Sequence, residues 1–282
     1  MNTVFVHGIS IAYEDTGLGG LGGRGGPGGQ EDPPVLFVHG HPFDRTLWHP
    51  QTAHLAGAGA RGVAPDLRGY GRTTVVPGVT LLDTFARDLA ALLDHLAVDR
   101  AVVAGLSMGG QIALEFHRLF PERVAGLLLA DTFAQGETRG GKRARKERAD
   151  RLLAEGMAGY AHEVLDSMIT PANVRRRPEV AAHVLEMMTS TPPEGAAAAL
   201  RGRAERPDYS RMLADIAVPT LVVVGREDVF TPVADAEFLR DRIPGARLAV
   251  IEEAGHLPNL ERPAAFNREL TALLAAVTAA RI

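Results

Sequence analysis

The sequence predicts an α/β fold, with a mostly parallel sheet covered by helices on both faces and interrupted by a helical insertion. Three observations lead to this class. Short apolar runs alternate with segments of helical periodicity along most of the 282 residues. These runs are apolar throughout rather than at every second residue, which is typical of parallel strands buried on both faces. The alternation stops once, over residues 133–212, and then resumes.

The segments before residue 133 follow this alternation in order. Residues 3–14 alternate between polar and apolar side chains, which predicts one or two short strands. Residues 80–97 carry apolar side chains three and four positions apart, the spacing of an amphipathic helix. Further apolar runs predict strands at 34–39, 61–67, 101–104 and 124–130, and helical patterns cover 46–57 and the stretch from 111 to about 119, before Pro121.

A glycine tract occupies residues 17–29. Its composition is that of a phosphate-binding loop, but no lysine follows it, no helix begins after it, and its repeats keep no register. We interpret it as a flexible surface connection between strands.

Residues 133–212 form the predicted insertion. The segment is rich in Ala, Arg, Glu and Met, contains no strand-like run, and is broken at Pro171, Pro178 and the pair Pro192-Pro193. We interpret it as a helical cap over the edge of the sheet where reactive groups gather. The core domain is assigned to residues 1–132 and 213–282, with later strands at 218–225 and 246–251 and helices at 233–242 and 263–279.

Composition and charge exclude several kinds of chemistry and partner. The chain has no cysteine, which excludes disulfides, thiolate nucleophiles and cysteine-bound metals. A formal net charge of −4 gives no general attraction to nucleic acid or anionic membranes. The first residues lack a signal-peptide pattern, and no apolar run approaches the length of a membrane span. We expect a soluble, cytoplasmic protein that acts on a small molecule, with a homo-oligomer as one alternative for its assembly.

A basic run from Arg139 to Arg151 holds seven cations. It lacks the interleaved aromatic residues of a nucleic-acid-binding segment, so the solvated face of a cap helix is the favoured interpretation. The arginines of the cap are also compatible with an acidic substrate.

The stretch Gly105-Leu-Ser107-Met-Gly109 joins a predicted buried strand to a predicted helix. A serine on such a sharp turn has strained backbone geometry, and side chains at the two glycine positions would collide with neighbouring elements. The turn lifts the hydroxyl into a cleft at the carboxyl end of the strand, over a helix N-terminus that favours negative charge. Ser107 is therefore the candidate nucleophile.

A serine hydroxyl needs a base that accepts its proton. Of the ten histidines, His256 is favoured because it follows the last predicted strand, where a loop can bring it to Ser107. The imidazole in turn needs an anion, and Asp228 follows the strand at 218–225 and completes the chain order Ser, Asp, His. Asp131, at the end of the strand after the serine's own, and Glu227 remain alternatives.

The tetrahedral oxyanion formed by serine attack needs two preorganised donors. The amide of Met108 directly follows the nucleophile, and the amide of His41 lies in the loop after the strand at 34–39. His39 and His41 could also suggest a metal-binding pair, but no third ligand is evident, so we do not predict a metal site.

Substrate contacts are expected from the cap and from the mouth of the cleft. Large apolar side chains are the candidates there, each with simple packing as the alternative: Phe133, Trp48, Met157, Tyr160, Met168, Met187 and Met188.

Five motifs together resemble the α/β-hydrolase superfamily: HGHP at 39–42, DLRGYGR at 66–72, GLSMGG at 105–110, GREDVFTP at 225–232 and AGHLPNLERP at 254–263. The resemblance covers nearly the whole chain outside the glycine tract and the cap. It implies an eight-stranded sheet, a cap inserted after the sixth strand, and no cofactor.

Within that superfamily the chain is most similar to small esterases, enol-lactonases and cofactor-free haloperoxidase-like perhydrolases. Ser107 departs from epoxide hydrolases and haloalkane dehalogenases, which carry an aspartate there, and HGHP lacks the extra glycines of C–C bond hydrolases. The prediction is a serine hydrolase that cleaves a small carboxylic ester or lactone through an acyl-enzyme. Perhydrolysis or acyl transfer at the same site, or a hydrolase-fold ligand-binding receptor, are the alternatives.

Overall fold

An eight-stranded sheet lies at the centre of the computed structural model, which describes residues 1–17 and 32–280. Beyond Gly17, the glycine tract falls outside the described residues. The strands are β1 (Asn2–Val6), β2 (Ile9–Asp15), β3 (Val35–Val38), β4 (Gly62–Pro65), β5 (Ala101–Leu106), β6 (Val124–Ala130), β7 (Thr220–Gly225) and β8 (Arg247–Ile251).

The strand order is β1-β2-β4-β3-β5-β6-β7-β8. β2 pairs antiparallel with both β1 and β4, and every other neighbouring pair is parallel. The predicted mostly parallel sheet of eight strands is therefore confirmed. Because β3 to β8 run in the same direction, the loops that follow their carboxyl ends meet at one edge.

Helices cover both faces of this sheet. They are α1 (His49–Gly57), α2 (Leu82–His95), α3 (Met108–Leu119), α4 (Arg139–Glu155), α5 (Ala158–Met168), α6 (Pro171–Arg176), α7 (Pro178–Ser190), α8 (Pro193–Ala204), α9 (Val233–Arg242), α10 (Pro258–Glu261) and α11 (Pro263–Ala279). The helix predicted over 46–57 is divided, because Arg45–Trp48 form a 3₁₀ turn in which the Thr46 amide donates to the Asp44 side chain. No helix among the described residues combines the length and apolar character needed to cross a bilayer.

Two apolar cores lie on opposite sides of the sheet. In β3, Val35 and Phe37 point into one core, and Leu36 and Val38 point into the other. All four side chains are fully buried, which explains why the strand is apolar at every position. The first core continues into α1, α11 and the insertion, and the second lies under α2, α3 and α9.

The insertion between β6 and β7 is helical, and none of its residues forms a strand. Three prolines mark the starts of its helices, because Pro171, Pro178 and Pro193 are the first residues of α6, α7 and α8. The last of these helices contacts the core directly, and the Thr80 amide donates to the Ala198 carbonyl at 3.0 Å. The division of the chain at residues 132 and 213 into core and cap stays a prediction.

Candidate active site

Ser107 occupies the turn between β5 and α3 in a left-handed conformation, with φ of 56°. A Cβ on Gly105 would overlap the Gly109 carbonyl, and a Cβ on Gly109 would overlap the Val38 carbonyl, so both positions require glycine. The turn is further held by its own backbone, since the Ser107 amide donates to the Ala130 carbonyl at 2.8 Å. This packing fixes a residue that is strained by itself, as is common at functional sites.

His256 lies in the loop between β8 and α10, and Asp228 lies in the loop after β7. His256 Nδ1 donates to Asp228 Oδ2 at 2.8 Å, and both side chains are buried. Asp228 also accepts hydrogen bonds from the Phe230 amide and from the amide and hydroxyl of Thr231. Burial favours the protonated acid, but the charge and hydrogen bond of His256, followed by the bonds from Thr231 and Phe230, lower the pKa of Asp228. The geometry therefore holds an ionised aspartate against one imidazole nitrogen.

The other two acids considered for this role take different positions. Asp131 is buried at the end of β6, where its Oδ1 accepts from the Gly225 amide at 2.9 Å. Burial, and then the negative charge of Asp228, raise the pKa of Asp131 well above its usual value. Glu227 is exposed. Among the described residues, Asp228 is the acid hydrogen-bonded to His256.

The polar atoms of Asp131, Asp228 and His256 lie within 4.8 Å of one another, the one three-residue cluster of metal-ligand type in the described part of the chain. Hydrogen bonds already occupy the Asp228 oxygens and His256 Nδ1, so the cluster fits an acid–imidazole arrangement. The two nitrogens of His39 are also occupied, by the Gly40 carbonyl at 2.8 Å and the Leu67 amide at 3.0 Å.

The loop after β3 lies directly against the serine turn. A Cβ on Gly40 would come 3.0 Å from the Leu106 carbonyl oxygen and 3.3 Å from Ser107 Cβ. The backbone at Gly40 therefore lies close against the backbone of the serine turn. The following amide, that of His41, donates no hydrogen bond among the described residues. Met108 begins α3, so its amide has no acceptor within the helix. Two amides next to Ser107 are thus available to an anionic oxygen.

A cavity of about 290 Å³ opens above the serine turn. Ser107, His256 and His41 line it, together with residues of the insertion and of the loop after β7. Of the side chains expected to contact substrate, Phe133, Tyr160 and Met168 line this cavity. Trp48, Met157, Met187 and Met188 do not: Trp48 is fully buried between Phe37 and Phe266, and the three methionines pack in the apolar core shared with the insertion.

Several lining residues were not expected from the sequence. Phe230 packs edge-on against the His256 ring, with ring centroids 5.1 Å apart. Two members of the basic run, Arg145 and Arg148, lie three residues apart on α4 and face the cavity rather than bulk solvent alone. Their spacing places them on one helix face, which was the available signal. The remaining polar or charged members of this set are Glu137, Arg203 and Thr231.

Glu261 connects the histidine loop to the insertion. Its buried carboxylate accepts from the Gly255 amide at 2.7 Å, the Thr170 amide at 2.9 Å and Asn173 Nδ2 at 2.7 Å. Gly255 precedes the candidate base, whereas Thr170 and Asn173 belong to the insertion. One side chain therefore fixes the position of His256 relative to the helices above it.

A mostly parallel sheet with a serine on a strand–turn–helix elbow and a helical insertion after the sixth strand defines a hydrolase class of α/β protein. The chain belongs to the α/β hydrolase family, whose family model, described as "Alpha/beta hydrolase family", matches residues 35–269.

Similar proteins cover almost the whole chain. It is 31% identical over 243 residues to 3-oxoadipate enol-lactonase 2 of Acinetobacter baylyi, covering 86% of this chain and 88% of the relative. A thermophilic esterase from Thermogutta terrifontis superposes with a TM-score of 0.89 at 39% identity, covering 98% and 97% of the two chains. The enol-lactonase from Burkholderia xenovorans superposes with a TM-score of 0.85 at 26% identity, covering 97% and 100%.

Proposed function

We propose that this protein hydrolyses a small carboxylic ester or lactone through an acyl-enzyme on Ser107. The observation that carries the proposal is that Ser107 and His256 line one cavity, while Asp228 accepts a hydrogen bond from Nδ1 of the same imidazole. The family and the esterase and enol-lactonase relatives support the same reaction class. A cavity of about 290 Å³ suits a small molecule.

In the proposed reaction, Asp228 fixes the tautomer of His256. Because Nδ1 donates its proton to Asp228, Nε2 is left with the lone pair that accepts the Ser107 proton. The serine oxygen attacks the carbonyl, and His256 then returns the proton to the leaving alkoxide. Water, activated by the same imidazole, attacks the acyl-enzyme and releases the acid.

The charge that develops on the carbonyl oxygen would be held by the amides of His41 and Met108. Donors of this kind are fixed by the fold before the reaction, so they cost no reorganisation when the charge forms. Loss of one such donor typically lowers kcat by on the order of 10²–10³. Phe133, Tyr160 and Met168 would supply the apolar surface that holds the substrate.

The test is turnover of a nitrophenyl ester by wild type and by Ser107→Ala. Wild type should show an initial burst of nitrophenol equal to the enzyme concentration, or steady turnover where deacylation is fast. Ser107→Ala should lower kcat by roughly 10⁶, with an unchanged thermal melting curve. A variant that keeps most of the activity would show that another group is the nucleophile and would overturn the proposal.

A further inference from the structure

The cavity wall carries more positive than negative charge. Three of its described lining residues are Arg145, Arg148 and Arg203, which we call the arginine wall. Glu137 is the one carboxylate among the same lining residues. With three guanidinium groups and one carboxylate, the wall has positive charge available to a ligand wherever an arginine lacks an anionic partner.

Glu137 is already bound by two partners. Arg145 Nε donates to its Oε2, and Arg206 Nη1 donates to the same oxygen at 2.8 Å. Burial would raise the pKa of Glu137, but these two guanidinium groups lower it to about 2, so the carboxylate is ionised at neutral pH. Its single charge is therefore shared between Arg145 and Arg206, and it forms no ion pair with the other two arginines of the wall.

Arg203 is the most confined member of the arginine wall, with only 7% of its surface exposed. Its Nε donates to the neutral side chain of Gln111 at 3.2 Å. Among the described residues, the bond to Gln111 is the one hydrogen bond that the Arg203 side chain donates, and no carboxylate forms an ion pair with it. Burial, and then the charges of Arg145 and Arg206, lower the pKa of Arg203 well below its usual value. A buried cation surrounded by cations is costly without an anion.

Arg148 lines the same cavity, with its guanidinium 5.5 Å from the centre of the Tyr160 ring. It forms no ion pair among the described residues. Tyr160 is itself buried and lines the cavity, so its ring holds the Arg148 charge at the cavity wall.

The arginine wall lies beside the candidate oxyanion site rather than at a distance from it. Burial is the main cause that lowers the pKa of His41, and the next three causes are the charges of Arg203, Arg145 and Arg148. The His41 ring also lies 6.3 Å, centroid to centroid, from the Tyr160 ring that carries Arg148. The positive charge of the arginine wall therefore acts on the part of the cavity that His41 lines.

We propose that the arginine wall is a carboxylate-binding subsite, so that the substrate is an ester or lactone that carries a free carboxylate group. This inference rests on the proposed function for the reaction and adds the chemical class of the substrate. The Nη groups of Arg203 suit a carboxylate, because a guanidinium donates two parallel hydrogen bonds to its two oxygens. The size of the cavity limits the molecule to a short acid, such as a monoester of a small dicarboxylic acid.

The first test compares two esters that differ in one carboxylate: nitrophenyl butyrate and mono-nitrophenyl glutarate. Wild type should prefer the glutarate ester in kcat/KM by about tenfold or more. In Arg203→Gln and in Arg148→Gln this preference should fall by roughly 10- to 100-fold, mainly through KM, as one lost charge-assisted contact predicts. Arg148 is exposed on α4, so its variant tests the proposal even where Arg203→Gln folds poorly.

The matched control is Arg143→Gln. Arg143 lies on the same helix, but 78% of its side chain is exposed and its partner is Glu147, outside the cavity. This variant should leave both substrates unchanged within about twofold. Equal kcat/KM for the two esters in wild type, or an equal loss of preference in Arg143→Gln, would overturn the carboxylate subsite.

A binding measurement separates this inference from the proposed reaction. Glutarate and uncharged glutaramide are titrated calorimetrically into wild type, Ser107→Ala and Arg203→Gln. Glutarate should bind the first two alike and Arg203→Gln at least about tenfold more weakly, and glutaramide should bind none of them measurably. Glutarate binding without hydrolysis of any ester would sink the proposed function but keep the subsite. Ester hydrolysis without glutarate binding would overturn the subsite but keep the proposed function.

Discussion

Two buried carboxyl groups at the candidate site, Asp131 and Asp228, have pKa values that are shifted in opposite directions. His256 faces Asp228 and lowers its pKa below the usual value, although burial acts in the opposite direction. Asp131 forms no hydrogen bond with His256, and burial, followed by the charge of Asp228, raises its pKa. The opposite shifts therefore favour a charge on Asp228, which contacts the imidazole, and a proton on Asp131.

Asp131→Asn should become progressively more stable relative to wild type as the pH rises. The folded-state pKa of Asp131 is raised, so its contribution to stability is present below the unfolded value of 3.8 and is lost as the pH rises towards the folded value. Asparagine cannot ionise and does not show this loss. The difference in the free energy of unfolding should grow by up to about 1.4 kcal/mol per pH unit within that window.

The measurement is urea unfolding of both proteins at about pH 5 and pH 7. Asp166→Asn, which removes an exposed negative charge from α5, controls for the general effect of charge. If the difference between Asp131→Asn and wild type stays constant or shrinks with rising pH, Asp131 is ionised in the folded protein and the assignment is wrong.

At the residue scale, the sequence predicts those features of the site that depend on neighbouring residues in the chain. The spacing of two glycines around Ser107 indicates a turn that no other residues fit, and the collisions expected there are the ones found. The wall residues of the cavity have no such signal. Whether Arg145 faces a cavity or solvent depends on how α4 is rotated against α8, which is a property of the packing and not of the basic run itself.

At the scale of elements, α8 shows how the insertion approaches the core. Its sequence PEGAAAALRGRA has small residues along the buried stretch, which allow backbone to approach backbone. Gly195 meets the backbone of Gly69, and Gly202 meets the carbonyl of Thr80. Arg203, next to the second of these contacts, is thereby carried into the cavity wall.

Gly195→Ala should destabilise the protein by about 1–3 kcal/mol, because the added methyl overlaps the Gly69 carbonyl and neither backbone can move without the other. The matched control is Gly159→Ala in α5, where nothing lies within 4 Å of the added Cβ. That variant should be neutral or more stable by up to about 1 kcal/mol, as expected for glycine in a helix. Chemical denaturation of both variants checks the difference, and equal stabilities would show that α8 does not dock through this contact.

Most elements could be predicted because their signals are short-range. Prolines mark the starts of α6, α7 and α8, and apolar runs mark β3 to β8. The four-residue helix α10 was missed because one turn is too short to show a period. The 3₁₀ turn before α1 was merged with that helix for a similar reason, since Asp44 caps the first and not the second.

At the scale of the whole molecule, the site combines two sources. The loops after the parallel strands supply Ser107, His256 and the amide of His41, whereas the helices between β6 and β7 supply most of the cavity wall. The sequence predicts the first group well, because strand ends converge at one edge whatever the loops contain. It cannot predict the second, since side-chain positions across the insertion follow from contacts between distant helices.

The protein as a whole is negative, with a formal net charge of −4, whereas the arginine wall is positive. For an anionic substrate, the net charge predicts that added salt raises kcat/KM, whereas the arginine wall predicts that added salt lowers it. If the local field dominates, kcat/KM for mono-nitrophenyl glutarate should fall by about 3- to 10-fold between roughly 0.01 M and 0.5 M salt, as screening shortens the range of the field. Stopped-flow or steady-state assays with nitrophenyl butyrate as the neutral reference check this, and a rate that rises with salt would show that the net charge governs.

The three hydrogen bonds that converge on Glu261 have a consequence for engineering. Exchanging the insertion for that of a relative cuts the chain at two points near β6 and β7, yet a tie runs from Thr170 and Asn173 to a residue beyond both cuts. A chimera with an apolar side chain at position 173 would remove the Asn173 donor, and one whose backbone shifts at position 170 would also lose the Thr170 amide, leaving the buried carboxylate short of donors. The transferable unit is therefore the insertion together with residues 253–261, because the base and the helices above it are assembled as one piece.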